Sequence, residues 1–134
     1  MKNYINILRK KFKKYSIDGY VVPKNDDYFT EYSKINRLET ISNFSGSAGL
    51  AIILKNENFL FTDGRYSIQS QLECGKNFKI YGLKRLLHCN LFKHLTLGID
   101  PKLFTNTQVK NYFLKYNKVK LRAEKILKFM DLKN

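Results

Sequence analysis

Three short constellations carry the residue types that do chemistry or bind ligands. Pro23 and Asp26, followed by Glu31-Tyr32, fall in a polar stretch. Arg37 leads through Asn43-Phe44-Ser45-Gly46-Ser47-Ala48-Gly49 into an apolar run. Phe61-Thr62-Asp63-Gly64-Arg65-Tyr66 stands where a strand should give way to a helix. In the second constellation Gly46 and Gly49 permit positive φ and close backbone approach, and the amides of Ser47 and Ala48 can cradle an anion as backbone nests do. It is neither a Walker loop nor a dinucleotide fingerprint, because the glycine spacing differs and no Lys-Ser/Thr follows. The simpler reading, which we take, is a tight turn feeding a buried strand. Asp63 with Arg65 has the make-up of a catalytic pair, but an N-cap with a local ion pair accounts for both residues.

Metal chemistry has few candidates. His88, Cys89 and His94 are the only His/Cys group. His88 and His94 are six apart, on different faces of any helix, and nothing completes a tetrahedral set. Cys89 beside His88 makes a poor nucleophile pair, since adjacent side chains diverge. Ser45 and Ser47 have no positioned histidine. The expectation is a chain without catalytic or metal-binding residues of its own.

The elements that position these motifs follow from periodicity. Ile5, Leu8, Phe12 and Tyr15 share one helical face, with Arg9 and Lys10, Lys11, Lys13 and Lys14 opposite. We read this as a surface helix packed on a sheet rather than a membrane-lying one. Strands are expected at 17–22 (ended by Pro23), 39–43, 48–54, 59–62, 78–81, 95–99 and 119–121. The apolar run at 48–54 suits a strand covered on both faces. Helices are expected at 65–74, capped by Asp63 and ended by Gly75, at 109–116 and at 123–130. The pattern argues for a mixed β-sheet covered by helices on both sides, an α/β fold in one domain over 1–134.

At 134 residues the chain can bury roughly 70% of its unfolded surface, enough for one core. An apolar share of 43% excludes a disordered class. The net charge of +14 suggests a nucleic-acid partner, which makes a basic nucleic-acid-binding module one alternative function. Twenty lysines against five arginines, beside thirteen asparagines, point instead to a general Lys and Asn bias. Base-reading surfaces favour the planar guanidinium. Neither a specific nucleic acid nor a membrane is expected as partner. Two cysteines make no disulfide framework, and residues 1–15 hold no apolar run of signal-peptide length. The expectation is a soluble, cytoplasmic chain.

Taken in order, the motifs resemble the amino-terminal domain of the creatinase, prolidase and aminopeptidase P family, most closely its Xaa-Pro aminopeptidase members. Arg37-Leu38, Phe44 through Gly49, Thr62 through Tyr66 and Gly98-Ile99-Asp100-Pro101 stand as that domain has them. Asn43 replaces a usual glycine, a mild change if φ is positive there. Thr40 stands where an aromatic residue is common, and the segment 82–94 is shorter than usual. The resemblance implies the creatinase/prolidase amino-terminal fold and a place in a metallopeptidase that removes the residue preceding proline. It implies two divalent metal ions, typically manganese, held by two Asp, one His and two Glu in a carboxy-terminal pita-bread domain. That domain is expected to be absent here, leaving a truncated or split chain with no cofactor and no activity alone. The amino domain would support homodimer contacts, meet a separate catalytic chain, and shape access to the active site. Asp26, Arg37, Asp63, Arg65 and Tyr66 would lie near that approach or interface, with Gly46, Ser47, Ala48, Gly49 and Gly64 as structural motif residues. A stand-alone protein-interaction module is the other alternative.

Overall fold

The computed structural model describes residues 4–23, 37–46, 49–64, 67–88, 94–99, 107 and 118–121. Helix α1 (Tyr4–Tyr15) leads into β1 (Gly19–Pro23). A short helix α2 (Arg37–Ser42) is followed by the β2 (Gly49–Leu54) and β3 (Asn58–Thr62) hairpin and by α3 (Ser67–Cys74). Then come β4 (Lys79–Gly82), a 3-10 segment (Leu83–His88), β5 (Thr96–Ile99) and β6 (Lys118–Leu121).

The strands form one mixed sheet in the order β4-β3-β2-β1-β5-β6. β1, β2 and β3 pair antiparallel, as a hairpin and its neighbour must, while β3–β4, β1–β5 and β5–β6 are parallel. Each parallel pair requires a crossover, and α3 supplies the one between β3 and β4. Asp18 fixes the β1–β5 pair. Its amide donates to the Thr96 carbonyl at 2.8 Å and its carboxylate accepts from the Thr96 amide at 2.9 Å.

Alternation along the strands divides the core in two. Tyr20, Val22, Ala51, Ile53 and Leu60 face α1, α2 and α3, where they meet Leu8, Phe12, Leu38, Ile41, Phe44 and Cys74. Val21, Leu50, Ile52, Leu54, Phe59, Phe61, Leu97 and Ile99 form the other face and pack with Leu86 of the 3-10 segment. The apolar run over 49–54 therefore is a strand covered on both sides. Among the described residues all three α-helices cover one face and the 3-10 segment the other. The helices expected at 109–116 and 123–130 lie outside the described residues.

The helix ends follow from local chemistry. Ser16, at φ 55°, closes α1 as its amide donates to Lys13 and the Ile17 amide reaches back to Phe12, the double bond of a Schellman end. Arg9, expected among the solvated cations, instead lies over the hairpin. Its Nε donates to the Leu54 carbonyl and its Nη2 to Asn58 Oδ1, both at 2.7 Å. Burial without a carboxylate partner among these bonds pushes its pKa below the ordinary value.

One element differs in type from expectation. The strand expected at 39–43 is helix α2, which buries Leu38 and Ile41, three apart, beneath the sheet. Six residues are too few for the helical period to outweigh the β-branched Thr40 and Ile41.

Candidate functional site

Those motif residues that are described lie where α2, the segment after it, β3 and α3 meet. Asn43 ends α2 at φ 67°, its amide donating to the Glu39 carbonyl at 2.8 Å. It fills the left-handed position that glycine most often takes after a helix, the condition under which its replacement of glycine is mild. Phe44 then turns fully inward. Ser42 holds that turn, because its hydroxyl donates to the Leu38 carbonyl at 2.6 Å and accepts from the Phe44 amide at 3.1 Å.

Gly46 and Gly49 work by close approach. A Cβ at Gly46 would stand 2.2 Å from Phe44 Cζ. At Gly49, φ +157°, it would stand 2.9 Å from the Phe61 carbonyl oxygen across the hairpin and 3.4 Å from the Phe44 ring. This part of the motif is a turn closing over a buried ring and feeding β2. Ser47 and Ala48 lie outside the described residues.

Helix α3 grips the same turn from the other side. Glu73 accepts from the Ser45 amide at 2.9 Å and from the Ser45 hydroxyl at 2.8 Å, and Gln69 Nε2 donates to that hydroxyl at 2.8 Å. The Ser45 amide, first, and then its hydroxyl hold the Glu73 carboxyl below the usual carboxylate range. Gln69 and Glu73 escaped the sequence reading because contacts across 24 and 28 residues leave no spacing signal.

Asp63 and Gly64 lie at the start of the β3–α3 connection, Asp63 half-buried and Gly64 exposed in a 3-10 turn. With Thr62, Ile68, Leu72 and Tyr81 they border an open groove of about 470 Å³ beside β4. Thus the structure brings the glycine turn and the Asp63-Gly64 corner to opposite sides of α3. Asp26, Arg65 and Tyr66 lie outside the described residues, and Arg37 opens α2.

Among the described residues no three of His, Cys, Asp and Glu converge. His94 is exposed, and Cys89 lies outside the described residues. Cys74 is buried, its Sγ 3.0 Å from the Ser70 carbonyl, and burial pushes its thiol up to about 11. A thiol so protonated at neutral pH is a packing group rather than a nucleophile. No helix among the described residues is long and apolar enough to cross a membrane.

The sequence family described as the Creatinase/Prolidase N-terminal domain matches residues 5–130. The chain belongs to this family. It is a creatinase N-terminal domain of the kind found in Xaa-Pro aminopeptidase-like proteins. A probable Xaa-Pro aminopeptidase P of Laccaria bicolor is 40% identical over 106 residues, 72% of this chain and 16% of the relative. Xaa-Pro aminopeptidase 1 of Dictyostelium discoideum is 38% identical over 108 residues, 73% of this chain and 17% of its own length. The chain thus spans about a sixth of the curated relatives it matches.

Solved structures agree on the fold. X-prolyl aminopeptidase from Caenorhabditis elegans, a cytosolic enzyme with a di-nuclear active site, superposes with a TM-score of 0.78 at 20% identity. The match covers 96% of this chain and 25% of that one. The N-terminal domain of the cytoplasmic peptidase PepQ from Mycobacterium tuberculosis gives 0.70 at 14% identity, over 96% of this chain and 99% of that domain. The creatinase N-terminal architecture, a mixed sheet with helices, is therefore the fold of this chain.

Proposed function

We propose that this creatinase N-terminal domain is the accessory part of an Xaa-Pro aminopeptidase, and that it does no hydrolysis alone. In this reading it contributes oligomer contacts and shapes the approach to an active site that another domain or chain provides. The observation that carries it is the match to an N-terminal domain family over 5–130, joined to relatives named as Xaa-Pro aminopeptidases that match over a sixth of their length.

The two divalent metals, with the Asp, His and Glu that hold them, belong on this reading to the catalytic domain. Such a pair would activate a bridging water and clamp the tetrahedral intermediate. This domain's own residues make structure. Phe44, Gly46 and Gly49 close the turn, and Glu73 with Gln69 ties it to α3. We assign Asp26, Arg37, Asp63, Arg65 and Tyr66, by their places in the motif, to the approach or the interface, and the chain to the cytoplasm.

The purified chain should release no amino-terminal residue from an Xaa-Pro peptide, with or without manganese. Metal-dependent turnover that follows the chain through purification would overturn the reading. A sedimentation measurement tests the oligomer contacts, and a chain monomeric at high micromolar concentration would remove that part.

A further inference from the structure

We propose that the outer edge of β4, with the groove between it and α3, takes up an extended acidic segment of another protein as an added strand. The inference goes beyond the accessory role and rests on different residues.

Helix α3 is packed against its own hydrophobic pattern. It turns Ser70 and Cys74 into the core at 0% and 4% exposure, while Ile68 and Leu72, one turn apart, stand 77% and 83% exposed. An aliphatic pair at i, i+4 normally forms the buried stripe of a helix. Placed outward together, they mark an interaction surface more often than a scattered apolar residue does. Both border the groove, whose other side is Ile80 and Tyr81 of β4.

β4 is a terminal strand of the sheet, and among the described residues nothing pairs with its outer side. A helix beside an edge strand, with apolar side chains between them, is the geometry by which peptides add as strands. Backbone bonds of β4 would supply affinity, and Ile68, Leu72 and Ile80, on the α3 side of the sheet, would receive every second side chain of the guest.

Charge selects the guest. Lys76, Lys79, Lys84 and Arg85 are all exposed around this edge. Arg85 lies 5.3 Å from the Tyr81 ring centre, and Lys79 is bonded to Glu57 at 2.7 Å. Of the neighbouring acids, Glu73 is engaged with Ser45, and Asp63 is the one acidic residue among the described residues lining the groove. A second copy of this chain would bring +14 against +14. A four-residue edge carrying a lysine is also a device that discourages self-pairing. An acidic strand with alternating apolar residues meets the same edge without either penalty.

The test is fluorescence anisotropy of the full chain with a labelled peptide of alternating Glu and Val. Controls are a Lys-Val peptide and a Glu-Val peptide N-methylated along one edge. Saturable binding of the acidic peptide alone is expected, weakening with salt, with the β4 amides gaining protection from hydrogen exchange. Leu72→Glu alters an exposed position, so its circular dichroism should match the wild type while affinity falls about tenfold or more. The absence of saturable binding overturns the proposal. So does equal binding of either control peptide, or full affinity in Leu72→Glu. A concentration-dependent dimer that Leu72→Glu dissociates would give the face to a second copy and also overturn it.

Discussion

Gly46 and Gly64 sit in two glycine-bearing motifs of the chain, and in the sequence they look alike. Their surroundings are opposite. A Cβ at Gly46 would clash with the tip of the Phe44 ring, 2.2 Å from Cζ, whereas a Cβ at Gly64 meets nothing within 4 Å. The first glycine is required by packing, because protein interiors are filled at crystal-like density and have no room to yield. The second stands exposed beside a groove, so no contact within the described structure demands it. A motif glycine thus gives two kinds of information, and only its neighbours say which.

The largest effects should come from the packed side. In Gly46→Ala the Phe44 ring must leave its place in a closed core, and in Gly49→Ala the new methyl presses on the Phe61 carbonyl of a paired strand. Each should lower stability by about 1–3 kcal/mol, the usual range for an overpacked site. Urea unfolding of the two variants measures it directly. If Gly46→Ala unfolds with the wild-type midpoint, the turn is looser than its geometry states and the contrast with Gly64 collapses.

How far these roles could be read beforehand depends on distance along the chain. Most of the strands and the apolar face of α1 were legible because period and residue type act locally. Leu8 and Phe12 are buried as their spacing implied. Helix α2 was misread as a strand, since Glu39 to Asn43 offers two β-branched residues and less than two helical turns. Arg9 was misplaced because periodicity assigns a face but cannot see the Leu54 carbonyl, 45 residues away, that draws the guanidinium down. The outward pair on α3 was hidden for a related reason. Period alone makes Ile68 and Leu72 core residues, and tertiary packing gave that place to Ser70 and Cys74.

An intermediate effect is expected where α3 grips the turn. Glu73→Gln keeps the size and one acceptor but removes the charge that the Ser45 amide and hydroxyl stabilise. The site is solvent-screened, so the loss at neutral pH should be at most about 1 kcal/mol. Its pH dependence is more specific. The Glu73 pKa is held below its ordinary 4.5, so the unfolded chain binds the proton first as pH falls. The stabilisation is therefore complete above the ordinary value and lost as pH drops through the folded one. Urea midpoints of wild type and variant should converge on acidification. A difference that persists unchanged to acid pH would mean that shape, rather than charge, holds Ser45.

The smallest effect should be at Gly64. With open space around its Cβ position and no positive φ at this residue, Gly64→Ala should stay within about 0.5 kcal/mol of wild type. The lost backbone freedom of the unfolded chain pushes its sign toward stabilisation. Differential scanning calorimetry of Gly64→Ala and Gly46→Ala, side by side, puts the comparison in one measurement. Equal destabilisation would mean that both motifs are folding devices. A neutral Gly64→Ala, next to a costly Gly46→Ala, would separate a turn that makes the domain from a corner that the domain only presents. The corner would then owe its glycine to whatever comes to lie against it.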